Sequence, residues 1–389
     1  MAFRPFSSLR RGAQVVSMDQ GQEQDVDLFQ KHVADHLLSL LPSSAAAFEP
    51  PCQLQPLLTL AFLSKLLDAL LSCEEEFLSL LGRTQASLLA RSPADRAVAD
   101  LLDRAVKSLD VCNSVSLSLH SLHHWYRPAV IASSVLLPDR CGEDAPLNRA
   151  RRALGKLLAS SHESSYTATA SAGGDWSGSS SRFGNRQIRA FSWGLSKNLS
   201  AGRTIPPVLA HLAAPHGGEA GGASAALAVY AMSSLLAFTM WALAAAVPSQ
   251  DRGSTAPSSP VSPRQHLPWA AAMIELQERI TGEWRRRRRG SPAGLLAEFQ
   301  RVERSMGELM ETMGERGAAA SRAEEVAARA GELAEACRKL SEGVGPLEKQ
   351  VREVFHRLVA SRAEVIRCVD HTSLAAVAAA PPNPPLTSL

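Results

Sequence analysis

The sequence predicts an all-α protein, an elongated multi-helix bundle with disordered linkers, on three observations. The 389 residues are 45% hydrophobic but only 5% aromatic, so a core must be built mainly from Leu, Ala and Val. The first two are strong helix formers. Apolar residues recur at alternating steps of three and four over long stretches, the period of a helix with one buried face. Between those stretches lie segments of Ser, Gly and Pro, which cannot bury enough apolar surface to order themselves.

Residues 1–20 read as a flexible tail, and residues 21–159 as an N-terminal helical bundle in which periodicity begins near Asp25. Leu60, Leu63, Leu67, Leu70, Phe77 and Leu81 share one helical face, with Glu74 occupying one slot, while Leu58, Leu66, Leu71, Leu78 and Leu80 populate others. A helix apolar nearly all round is a buried, central one, and Lys65 and Asp68 argue against a membrane span. The triplet Glu74-Glu75-Glu76 reads as a solvated face of that helix. The next helix has a start signal, with Ser92 as cap, Pro93 in the first turn and Asp95 reaching back. Val98, Leu102, Ala105, Leu109, Cys112 and Leu119 line its stripe, and Pro128 ends or kinks it. A short basic helix carrying Arg149, Arg151, Arg152 and Lys156 follows.

Nine of the 22 residues from Ser160 to Ser181 are serine, which makes 160–190 a linker. Residues 191–247 hold an aromatic patch (Phe191, Trp193) and a long apolar helix, and 248–268 a second linker rich in Pro and Ser. In 269–371, Ser291-Pro292 opens a helix by the logic of Ser92-Pro93. Phe299, Val302, Met306, Leu309 and Met313 continue it, and a second stripe runs Val326, Ala330, Leu333, Cys337 and Leu340. The same register carries on through Val344, Leu347, Val351, Val354 and Leu358. Gly343-Val344-Gly345-Pro346 sits inside it, however, and Gly with Pro reads as a turn. A helical hairpin with a last helix from about Leu347 to Val369 is therefore expected, then a tail over 372–389.

Charge and cysteine usage narrow the function. With 41 basic and 38 acidic residues the net charge is +3, too small for the broad basic field of a nucleic-acid binder. Six cysteines (Cys52, Cys73, Cys112, Cys141, Cys337, Cys368) stand singly, as buried apolar residues do in a reducing compartment. The N-terminal segment has neither a signal-peptide apolar run nor a Met-Gly start. A cytosolic chain is expected, with membrane association through residues 225–247 as the open point.

Those residues, Ala225 to Val247, are 23 without a charge, including nine alanines, with Leu235 and Trp241 among eleven large apolar members. The length suffices to cross a bilayer. Seven Leu, Val or Phe residues contribute roughly −3 kcal/mol towards insertion, part of which Ala and Ser offset. The segment reads either as a central buried helix or as a membrane span or anchor. Further along, just after an amphipathic stretch, Arg285, Arg286, Arg287, Arg288 and Arg289 form an unbroken basic run. Such a run could grip anionic lipid headgroups at about 1 kcal/mol per residue, act as a nuclear import signal, or be a solvated helix end.

Nothing in the sequence assembles a catalytic set. His120 and His124 have the i,i+4 spacing of a chelating pair, but no second ligand cluster accompanies them, and a polar helix end is the plainer reading. His162-Glu163 lacks the second histidine of HEXXH, Gly217-Gly218 and Gly221-Gly222 lack the Lys-Ser/Thr of a phosphate loop, and the sequence around Ser177 is not GxSxG. The expectation is a protein that is not an enzyme and uses no cofactor, metal or small-molecule substrate. Ser-Pro steps at Ser259, Ser262 and Ser291 are candidate phosphorylation sites.

Six blocks carry a resemblance. They are PFSSLRR (Pro5 to Arg11), KLLD…LLSCEEEF (Lys65 to Phe77), KSLDVCNSVS (Lys107 to Ser116), FSWGLSKNLSA (Phe191 to Ala201), Val229 to Gly253, and LEKQVREVFHRLVASRAEV (Leu347 to Val365). Together they resemble the plant BYPASS-related proteins, in particular the ROH branch, over nearly the whole chain. The resemblance implies a helical protein without known catalysis. It further implies binding to the membrane-tethering subunit of the exocyst and restraint of polarised secretion, or, in the BYPASS branch, limitation of a mobile growth signal. No residue inherits a role from it. The outer faces of the C-terminal helices and the Phe191/Trp193 patch are the surfaces expected to meet a partner.

Overall fold

The computed structural model describes residues 9–42, 56–84, 86–89, 91–136, 144–163, 201–210, 212–215, 220–247, 263–264, 266–287, 294–314 and 319–378. Among them are eleven helices and no strand. In order these are α1 (Leu9–Leu40), α2 (Leu60–Arg83), α3 (Ala86–Leu89), α4 (Ala94–Trp125), α5 (Arg127–Val135), α6 (Asp144–Glu163), α7 (Ala201–Leu209), α8 (Ala220–Ala246), α9 (Ala270–Arg287), α10 (Ala297–Gly314) and α11 (Ala319–Ala378). The all-α expectation holds.

One apolar core runs through these helices, and α8 lies at its centre. Because α8 is apolar on every side, it has no face to offer water, and α1, α2, α3, α4, α7 and α9 all pack on it. Around it, α1 buries Val26, Phe29, Val33, Leu37 and Leu40, and α2 buries Leu63, Leu66, Leu67, Leu70, Phe77 and Leu81. The stripe of α4 is broader than the sequence suggested. Leu101, Val111 and Val115 are buried in it, while Leu102 and Leu109 are only partly so. Pro128 behaves as expected, since α4 stops at Trp125 and α5 begins with the proline in its first turn.

Contacts distant in sequence satisfy the helix ends. The first turn of α2 is closed locally by Thr59, whose Oγ1 accepts from the Phe62 N–H at 3.0 Å. Two further N–H groups, one in that turn and one just before it, are taken by the other half of the chain. Glu283 of α9 accepts from Leu57 N at 2.5 Å, and both carboxylate oxygens of Glu298 of α10 accept from Leu60 N at 3.1 Å. Carboxylates at a helix N-terminus meet both the orphan donors and the positive end of the dipole. The extended residues before α10 finish the opposite kind of end. The N–H groups of Leu295 and Leu296 donate to the Ala245 and Ala246 carbonyls at the end of α8, and Ala297 N donates to Leu58 O. Buried Arg104 does the same for α7, donating to Val208 O at 2.8 Å and Ala210 O at 2.7 Å.

The structure corrects several boundaries. Helix α1 starts at Leu9, within the segment expected to be a tail, because a helix nucleated by the buried Val26–Leu40 stripe extends upstream at little cost where Pro is absent. Ser92 does not cap α4; Pro93 holds that position without a side-chain bond, and the Arg91 carbonyl accepts from Ala94 and Asp95. Ser291-Pro292 lies outside the described residues, and α10 begins at Ala297, after the bonds just described have set its direction. The turn expected at Gly343–Pro346 is absent. Helix α11 continues through it, and the hairpin partner of α11 is α10, with residues 315–318 between them. Pro346 is exposed, so the carbonyl its ring frees faces water. Gly343 faces α2, where an added Cβ would come within 2.5 Å of Leu60 Cδ1; the glycine serves a close helix approach. Helix α11 then runs to Ala378, past the expected boundary at 371. The Phe191/Trp193 patch and the greater part of the linkers at 160–190 and 248–268 lie outside the described residues.

Candidate interaction surface

Helix α11 is the longest element, and its sequence divides cleanly into two faces. Val326, Ala330, Leu333, Cys337, Leu340, Val344, Leu347, Val351, Val354 and Leu358 are buried, in an unbroken heptad pattern of steps of four and three. They press on α2, α4, α5 and α10. The opposite face is solvated and carries charges of both signs. Arg338 bridges Glu335 at 2.7 Å and Glu342 at 2.6 Å, and Lys339 stands 3.4 Å from Glu335. Arg329 joins Glu332 at 3.0 Å and Glu308 of α10 at 3.4 Å, while Arg352 pairs with Glu348 and Arg367 with Glu364. The hydrogen bond from Arg338 holds the Glu335 carboxyl down at about 2. Exposed pairs of this kind add little stability. Their consequence is a long, nearly neutral ladder of oriented donors and acceptors.

The acidic triplet of α2 is not the solvated face the sequence suggested. At 100° per residue its three side chains point to three surroundings. Glu75 is exposed, Glu76 turns to His32 of α1, and Glu74 turns towards α11 and is 2% exposed. Arg357 Nε of α11 lies 4.0 Å from Glu74 Oε2. Burial pushes the Glu74 carboxyl above its ordinary value, with Ser361 and Arg357 pulling partly the other way. Because α2 is wedged between α1 and α11, a helix that would otherwise have a wet side is covered on two.

The candidate membrane residues are all inside the fold. Ala225, Leu235, Trp241 and Val247 are at most 7% exposed. Helix Gly222–Ala246 is long and apolar enough to cross a membrane, yet 94% of its most apolar window is buried within the protein. Of its buried hydroxyls, Thr239 Oγ1 donates back to Leu235 O at 2.8 Å.

The basic run sits at the end of α9. Arg285 and Arg286 are exposed in its last turn, where cations complement the negative end of the dipole. Arg287 is its last helical residue, and Arg288 and Arg289 lie outside the described residues. Arg286 is also tied to the fold. Its positive charge, with that of Arg279, stabilises the Glu283 carboxylate that caps α2 and that burial otherwise pushes towards protonation. Part of the basic run therefore supports a structural carboxylate.

Of the flagged histidines, His120 and His124 lie 3.4 Å apart on the exposed side of α4, and His123 pairs with the Tyr126 hydroxyl. No third ligand atom joins the His120/His124 pair among the described residues. A second i,i+4 pair, His32 and His36 on α1, does acquire one, Cys73 from α2. The sequence held half of that signal in the His-x-x-x-His spacing. The cysteine belongs to another helix.

The family model for Protein ROH1-like matches residues 1–369. The chain belongs to the ROH1-like family. Among its relatives, Protein ROH1A of Arabidopsis thaliana is 34% identical over 93% of this chain and 94% of that protein. Protein ROH1D of Arabidopsis thaliana is 31% identical with the same coverage of both. No solved structure matches. Four of the six blocks that carry the resemblance fall largely on α2, α4, α8 and α11, the central helix and three that wrap the core.

Proposed function

We propose that this ROH1-like protein is a non-enzymatic regulator of secretion that docks, helix on helix, on the membrane-tethering subunit of the exocyst. Family membership over residues 1–369 supports the reading, since that partner is the one the ROH branch implies. The feature that would carry the contact is the outer face of α11, a rigid 60-residue helix whose solvated side alternates Glu335, Arg338, Lys339 and Glu342. A helical partner can meet such a face with complementary charge, which sets register and specificity more than affinity. The test is retention of purified exocyst subunits by the immobilised full chain. Retention of the tethering subunit, weakened by reversing Arg338 and Lys339 to Glu, supports the proposal. A well-folded chain that retains no exocyst subunit overturns it.

A second reading is a membrane-anchored protein that limits a mobile growth signal. It rests on the length of the 222–246 helix, with a mean hydropathy of 1.7, and on exposed Arg285 and Arg286 as contacts for anionic lipid. It would require α8 to leave the bundle that sheathes it. Alkaline carbonate extraction separates the two readings: a chain found wholly in the supernatant is not integral.

A further inference from the structure

From the α1–α2 interface we infer a divalent-metal site of the zinc class, held by His32, His36 and Cys73 with Glu76 behind it. The three ligand atoms all lie within 4.8 Å of one another. They come from two helices, His32 and His36 one turn apart on α1, and Cys73 opposite them on α2. Phe29 and Phe77, whose ring centroids are 5.9 Å apart, pack the same interface and fix the spacing of the two helices.

The chemistry of the set is that of a metal site. Glu76 binds Nδ1 of His32. A carboxylate there fixes the Nδ1–H tautomer and turns the Nε2 lone pair outward, the arrangement found behind metal-bound histidines. That Nε2 lies 2.7 Å from Nε2 of His36. Without a cation, one of these nitrogens must carry a proton to sit so close to the other. A metal between them accepts both lone pairs. With Zn–N of about 2.0–2.1 Å and Zn–S of about 2.3 Å, tetrahedral ligand atoms stand roughly 3.3–3.7 Å apart. The imidazoles need to part by only about 0.6 Å, and the sulfur lies within reach of the same centre.

Coordination replaces the thiol S–H bond by a metal–sulfur bond and sends the proton to solvent; His36 binds as the neutral ring. Three protein ligands leave a fourth position for water on the side where His32 is one-third exposed, which gives the ion an entry path. The site would pin α1 to α2 and so tighten the cover of α8, against which both helices pack.

The experiment uses the full chain, stripped with chelator and titrated with Zn²⁺ and, as a spectroscopic probe, Co²⁺. The expected result is one zinc retained per chain, a higher Tm with zinc, and a near-ultraviolet thiolate-to-cobalt band. Cys73→Ser should abolish the band and the Tm shift, and His36→Gln should weaken zinc retention. Glu76→Gln should lower affinity about 10- to 100-fold. Helical circular dichroism checks the fold of each variant, and Cys368→Ser, outside the cluster, should leave all three readouts in place. Absence of retained zinc and of the cobalt band in the wild-type chain overturns the proposal, as does a band that survives Cys73→Ser. Folded Glu76→Gln with unchanged affinity overturns the part assigned to the carboxylate.

Discussion

Gly343 of α11 lies against Leu60 of α2 so closely that a methyl group on its Cα would stand 2.5 Å from the leucine Cδ1 and 3.2 Å from its Cβ. The close approach involves the root of the leucine as well as its tip, so rotation of the side chain alone cannot relieve it. Gly343→Ala should therefore destabilise the protein by about 1–3 kcal/mol, the cost of overpacking. Gly331→Ala on the same helix, where nothing lies within 4 Å, should stabilise it by about 0.5–1 kcal/mol. Urea unfolding of both variants checks the pair, and equal effects of the same sign would contradict the close-approach explanation.

Glu74 links stability to pH. Its carboxyl is raised chiefly by burial, so the folded state prefers the protonated form. The stability it contributes is fully present below the ordinary glutamate value and lost as pH rises through the raised folded value. Glu283 and Glu298 shift in the same direction, again chiefly by burial. Glu74→Gln should thus gain on the wild type more at neutral pH than at about pH 4. Parallel stability profiles of the two proteins across that window would show that the buried carboxyl is not the cause.

Removing Glu298 should leave the Leu60 N–H at the start of α2 without its partner. Glu298→Ala should cost about 0.5–2 kcal/mol, the usual range for a lost cap. Exposed Glu353→Ala serves as the comparison and should stay within about 0.5 kcal/mol. Chemical denaturation monitored at the helical circular-dichroism band gives both numbers.

Leu235, fully buried at the centre of α8, tests where that helix lives. In a protein core, Leu235→Ala opens a cavity and should cost about 2–5 kcal/mol. The variant should still be recovered without detergent and unfold at lower urea. Unchanged stability, with a chain released only by detergent, would place the leucine against lipid.

Much of the fold was legible because buried stripes obey a fixed period. The leucines of α2, the Phe299–Met313 stripe of α10 and the uncharged 225–247 run all became helices with the faces the spacing required. The misreadings came where a local preference met a tertiary contact. Gly343 and Pro346 form a turn signal by composition, yet the heptad register that runs through them was the stronger constraint, since ten buried side chains depend on it. Glu74 reads as solvated by its charge and its two glutamate neighbours, yet it fills a slot of the Leu60–Leu81 stripe between Leu70 and Phe77, and there the period was the better guide. The caps supplied by Glu283 and Glu298, and the meeting of Cys73 with His32 and His36, join positions with no sequence relationship. They follow from packing, which spacing along one helix does not encode.

The bonds that close the start of α2 have a consequence for how the chain is made. Leu57 and Leu60 wait for carboxylates 226 and 238 residues further along. At ribosomal rates of about 5–20 residues per second, that delay is roughly 10–50 s. Through it, α2 and α4 stand without α11, which packs on both and is synthesised last of the helices. Nascent chains of this protein should be strong clients of holding chaperones, and fragments ending before residue 298 should be recovered as aggregates.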